Sequence, residues 1–150
     1  MITIRALEPI DVVALDLQES QVGQLGAFEP VRDIKHGVEL QSLGPAWSAI
    51  DAQGDVLCCA GFGTVFPKQQ ALAWALFGKR FAANVRAQAA VLRFMRARVA
   101  DVGFVRLEAM ARAACPSECA WLERIGFERR MLLRKWGPLG EDHVFFERVK

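Results

Sequence analysis

Tyrosine is absent from this 150-residue chain, and histidine occurs only twice, at His36 and His143. The first absence removes the phenol as a proton donor, and the second leaves few ligands for a metal. No apolar run approaches the ~20 residues of a membrane-spanning helix. The uncharged stretches 56–67 and 69–78 are separated by Lys68. The opening MITIRALEPID carries Arg5, Glu8 and Asp11 and has no apolar core, so no signal peptide is expected. A cytoplasmic protein without a membrane partner is the expectation.

Of the four cysteines, Cys58 and Cys59 are adjacent and Cys115 and Cys119 lie four apart, so no CxxC exists. Adjacent strand residues point to opposite faces, so Cys58 and Cys59 are expected to be buried thiols, and no metal is expected. Nor is there a Lys/Arg block. Residues 1–75 carry 4 basic and 9 acidic side chains, and residues 76–150 carry 15 and 8. The basic half interleaves its cations with acids (Glu123-Arg124, Glu128-Arg129, Glu147-Arg148) and has no groove-reading motif, so nucleic acid is not the expected partner.

What is present suits a folded globule: 53% apolar and 24% charged residues. Alternation predicts a strand over Ile2–Arg5. Pro9 opens a helix with Ile10, Val13 and Leu17 inward and Asp11 and Gln18 outward. Gly23, Gly26 and Pro30 break the chain before a second helix over Val31–Leu43, with Ile34, Val38 and Leu40 partly inward. Strands follow at Ala46–Ala52, Val56–Phe66 and Gln70–Phe77. The first two are joined by the Gln53-Gly54-Asp55 turn, and Gly61 and Gly63 signal a bulge or a close backbone approach. A long helix is predicted over Arg80–Asp101, burying Phe81, Val85, Ala89, Leu92, Met95 and Val99, with Arg86, Arg93 and Arg96 solvated. Then come a strand at Phe104–Ala111 and a short helix from Pro116, with Cys119 or Ala120, Leu122 and Ile125 inward, stopped by Gly126. A hairpin of Phe127–Trp136 and His143–Val149 closes the chain. The order β-α-α-β-β-β-α-β-α-β-β implies one α/β (α+β) domain over residues 1–150. Its mostly antiparallel mixed sheet has about seven strands, flanked by about four helices.

Three segments carry a resemblance: AWLERIGFE at Ala120–Glu128, Cys115–Phe127 ahead of the last hairpin, and Gln70–Gly78 leading into the long helix. With the element order they resemble the GNAT superfamily of N-acyltransferases. AWSAIDAQGDVLCCAGFG, AWALFG and FMRARV narrow the likeness to GNAT-like proteins of bacteriophages and prophages, related to internal virion or virion-assembly proteins.

The resemblance implies acetyl-CoA as the donor and an amine-bearing small molecule or protein as acceptor. Its pantetheine arm would pair with the backbone of Trp74, Ala75, Leu76 and Phe77. Its pyrophosphate would meet the turn Gly78, Lys79, Arg80, Phe81, Ala82, Ala83 and Asn84, with Lys79 and Arg80 supplying charge. That turn lacks the family's paired glycines. The family's tyrosine acid falls on Leu122 and its asparagine on Cys115. Cys119 is left as a substitute acid, and Glu108 or Glu39 as candidate base. The slot itself requires two neighbouring strands to part at Phe77 and Ala109. Two readings stay open: an acyltransferase working by proximity, or a catalytically inactive component contacting phage structural proteins, with Trp47, Trp121 and Trp136 as anchors.

Overall fold

The computed structural model describes residues 1–22 and 33–150. The breaks at Gly23, Gly26 and Pro30, and the predicted helix start at Val31, lie outside the described residues.

The strands are β1 (Thr3–Ala6), β2 (Ala46–Ile50), β3 (Val56–Phe66), β4 (Gln70–Phe77), β5 (Arg106–Arg112), β6 (Glu128–Leu133) and β7 (His143–Val149). The helices are α1 (Pro9–Ala14), α2 (Glu19–Val22), α3 (Ile34–Leu43), α4 (Lys79–Ala82), α5 (Val85–Asp101) and α6 (Pro116–Ile125). All seven strands form one sheet in the order β1-β2-β3-β4-β5-β7-β6. Every described neighbour pair is antiparallel except β4 and β5. The last strand inserts between β5 and β6, which brings the chain's C-terminal half against the crossover.

Each sheet face buries its own cluster. On one, α5 and α6 cover Cys58, Phe62, Leu107, Val144 and Phe146. On the other, α1 packs Val12 and Leu15 against Cys59 and Leu76. Cys58 and Cys59 thus lie on opposite faces, as the strand repeat requires. Burial lifts both thiols, Cys59 to about 12, so both stay protonated. Gly61 is a close approach: a Cβ there would lie 2.7 Å from the Pro45 carbonyl oxygen.

Three helical predictions change. In α1 the inward residues are Asp11 and Val12, while Ile10 and Val13 are exposed. Asp11 turns inward because it has partners. Arg5 donates two hydrogen bonds of 2.8 Å, the Ser48 hydroxyl one of 2.6 Å, and the Glu8 N–H one of 2.9 Å. In α3, Ile34 and Val38 are exposed and Gly37 is buried, because α1 crosses too closely for a side chain. The predicted long helix is two. Gly78 precedes the single turn α4, and Asn84 caps α5 by accepting from the Ala87 N–H at 2.9 Å. The break shifts the helical phase. Ala87, Val91, Met95 and Val99 are buried, whereas Val85 is 76% exposed.

Candidate functional site

Strands β4 and β5 pair in parallel only at Gln70–Arg106, Ala71–Leu107 and Leu72–Glu108. Beyond that register they separate. On β5 the parting falls at Ala109, as expected; on β4 it starts at Ala73, so Phe77 lies at the far end of the open edge. A cavity of about 330 Å³ occupies the gap. Trp74, Ala75, Leu76 and Phe77 line it from β4, Ala109, Met110 and Ala111 from β5, and Trp121, Leu122 and Ile125 from α6. Its walls are mostly apolar and backbone, the surroundings in which an added hydrogen bond counts for most.

The open β4 edge is already paired. The Gln21 carboxamide oxygen accepts from the Phe77 N–H, and its Nε2 donates to the Ala75 carbonyl at 3.5 Å. One turn earlier the Gln18 N–H donates to the Phe77 carbonyl at 2.9 Å, and Gln18 Nε2 donates to the Gly78 carbonyl at 3.1 Å. An amide that donates to one residue and accepts from the next but one is bonded as a neighbouring strand would be. Gln21 therefore satisfies the β4 edge with a side-chain amide where a neighbouring strand would offer backbone.

At the other end of the expected cofactor path several backbone donors are already bonded. The Gly78 N–H reaches the Leu57 carbonyl at 2.9 Å, and the Lys79 N–H reaches the Asp16 carbonyl at 2.8 Å. The Ala87 N–H, at the start of α5, is taken by Asn84. The two cations are engaged as well. Lys79 pairs with Asp16 at 3.5 Å, while Arg80 pairs with Asp51 at 2.9 Å and also with Asp55, holding the β2–β3 turn. Phe77 stacks on Phe81 at 5.1 Å, and Trp121 meets both rings edge-on, at 5.5 and 5.9 Å, joining α4 to α6. The residues present fit the pantetheine portion of an acyl-CoA. The Gly78, Lys79 and Ala87 N–H groups are already bonded and would meet a diphosphate only by exchange. Gly78, Lys79, Arg80, Ala82 and Ala83 stand at the right place in the chain but outside the cavity lining.

The structure also locates the expected catalytic groups. Glu108 is salt-bridged to Arg106 at 2.7 Å, and Arg106 reaches Glu147 at 2.6 Å. Cys119 is 2% exposed, its thiol raised by burial and directed at the Arg112 carbonyl at 3.6 Å. Neither lines the cavity, and nor does the exposed Glu39. Leu122 and Trp121 do, and Cys115 lies at the α6 N-cap. Among the described residues no group of three or more His, Cys, Asp or Glu is placed to hold a metal ion.

Sequence reading missed four polar residues of the cavity: Gln21, His36, Glu118 and His143. Gln21 sits in a short helix with no motif around it. His143 was one of only two histidines, but only the insertion of β7 beside β5 brings it to the slot. His143 Nδ1 and Trp74 Nε1 are both buried without a hydrogen-bond partner.

With this geometry in hand, comparison with solved structures gives many likenesses in fold, of which three are described. A phosphinothricin acetyltransferase from Sinorhizobium meliloti, solved with AcCoA, matches at TM-score 0.75 and 18% identity, over 99% of this chain and 88% of that one. Spermidine N-acetyltransferase from Vibrio cholerae, solved with CoA and spermine, matches at 0.74 and 14%, over 99% and 95%. A GNAT-family acetyltransferase from Bacillus anthracis matches at 0.70 and 15%, over 99% and 94%. No protein-family model matches the chain, and no curated protein matches it. The fold is that of the GNAT acetyltransferases, with mixed α/β layers and a seven-stranded, mostly antiparallel sheet.

Proposed function

We propose that this chain binds an acyl thioester by its pantetheine arm and acts as an N-acyltransferase on an amine, chiefly by holding the two together. The observation that carries this reading is the open β4 edge, where the Gln21 carboxamide already makes the donor–acceptor pair of a pantetheine amide. Trp74, Ala75, Leu76 and Phe77 hold the arm. AcCoA, the ligand of the Sinorhizobium neighbour, supplies the donor class. The nucleotide end contributes less, because the Gly78 and Lys79 N–H groups are already bonded and the Lys79 and Arg80 side chains are ion-paired. Alignment alone supplies up to ~7–11 kcal/mol of a barrier in favourable cases, so transfer does not depend on a tyrosine. The acceptor is an amine, as for the spermidine enzyme. The protein works in the cytoplasm of a bacterial cell.

Calorimetry with acetyl-pantetheine and acetyl-CoA tests this. Both should bind in the micromolar range, with affinities within about threefold of each other, since the diphosphate must displace bonds that the Gly78 and Lys79 amides already make. Absence of heat and of any thermal shift with both ligands at millimolar concentration would sink the reading.

A second reading is favoured by the outer edge of the sheet. Strand β6 is exposed along nearly its whole length, and Met131, Leu132, Trp136 and Leu139 are each more than half exposed. An edge of this kind offers backbone and apolar contacts to another chain. In this reading the protein is an inactive component of a phage particle, joined to its structural proteins through β6. Retention of a phage protein by the wild-type chain and its loss on Leu132→Glu, with no thioester binding by either, would select it.

A further inference from the structure

We infer that His143 is the residue that takes a proton from the amine acceptor, an inference resting on the acyl-transfer reading. His143 is 6% exposed, and its Nδ1 is buried in the cavity wall without a partner. A buried polar atom left unsatisfied costs about 1–3 kcal/mol, and such atoms in folded proteins call for a specific partner. The missing partner here is a ligand atom.

The ring is held for the task. His143 opens β7, between Arg112 on β5 and Leu133 on β6. Trp136 packs against it with ring centres 4.9 Å apart and planes inclined by 62°. Strand alternation places His143 with Phe145 on one sheet face, opposite the Val144 and Phe146 that enter the core under α5 and α6. Trp74, across the gap, adds a second orphaned atom, its Nε1 donor. Glu118 from α6 and His36 from α3 line the same cavity, and Arg112 and Glu141 flank His143.

The chemistry follows from these groups. An amine arrives as an ammonium ion, attracted by Glu118 and by the face of Trp136. With the single imidazole proton on Nε2, Nδ1 accepts one N–H proton. The nitrogen keeps the electron pair of that bond and becomes a nucleophile. His143 becomes an imidazolium and returns its proton to water, which balances the step. Glu108 and Cys119 lie outside the cavity and take no part.

The test uses the full chain with 2-phenylethylamine as amine probe and acetyl-pantetheine as donor. With only two histidines, ¹⁵N-imidazole resonances are readily assigned, using His143→Gln as reference. Saturable movement of the His143 Nδ1 signal on adding the amine is expected in the wild type, without any variant. In His143→Gln, amine affinity should fall about 10-fold. Transfer should fall about 100-fold, with acetyl-pantetheine affinity unchanged. A His143 signal that stays fixed at millimolar amine overturns the inference, as does a His143→Gln protein with wild-type amine affinity and rate. Movement of the His143 signal without any thioester binding keeps the amine contact and sinks the acyl-transfer reading instead.

Discussion

The Gln21 carboxamide closes on the backbone of Phe77: its oxygen accepts the Phe77 N–H while its nitrogen donates to Ala75. An arm entering the slot must exchange with this side chain. Gln21→Ala therefore removes a competitor, with a net worth of about 1 kcal/mol for each lost hydrogen bond. Acetyl-pantetheine should bind the variant roughly 30-fold more tightly by calorimetry, a gain equal to the two bonds no longer displaced. Weaker binding would make Gln21 part of the ligand's own contacts.

Arg80 is tied to the β2–β3 turn through Asp51 and Asp55. Arg80→Ala should lower stability by about 1 kcal/mol in urea unfolding, in the upper range for a partly exposed pair. Affinity for acetyl-CoA should change less than threefold. A tenfold loss would place Arg80 on the nucleotide after all.

Asp11 gives the molecule an acid-sensitive joint. Burial opposes its ionisation, but hydrogen bonds from Arg5, Ser48 and the Glu8 N–H outweigh that and hold its carboxyl below the ordinary range. A depressed carboxyl contributes stability above its unfolded pKa of ~3.9 and loses it as pH falls through the lower folded value. Asp11→Asn should cost about 3 kcal/mol at neutral pH, because Arg5 loses its buried partner. It should also flatten the acid limb of the stability curve below pH ~4. Urea unfolding from pH 2 to 7 measures both.

Gly37 sets how closely α3 crosses α1. A Cβ at that position would lie 2.2 Å from the Pro9 carbonyl oxygen and 2.8 Å from its Cα. Both are backbone atoms, so α1 itself must move. Gly37→Ala should destabilise by about 3 kcal/mol despite alanine's better helix propensity. A thermal midpoint at or above that of the wild type would contradict this packing.

The seven strands and their order along the chain were legible because period-two alternation and the Gly54 and Gly126 stops are local signals. Burial phase was not. Asp11 faces inward because Arg5 and Ser48, remote in sequence or on another strand, complete its hydrogen bonds. The stripe on α5 is displaced because Asn84 caps the helix after Gly78 and α4 have already turned the chain.

Sequence alone determined that no phenol serves as an acid, that Cys58 and Cys59 are divided between the faces, and that β4 leads into a helix; each follows from composition or from neighbours in the chain. Tertiary structure alone decided that the parting on β4 starts at Ala73, that Gln21 bonds the open edge, and that His143 reaches the cavity. These depend on contacts between residues far apart in sequence. No local periodicity encodes such contacts, and they form only when the sheet order places β7 beside β5 and α2 against β4.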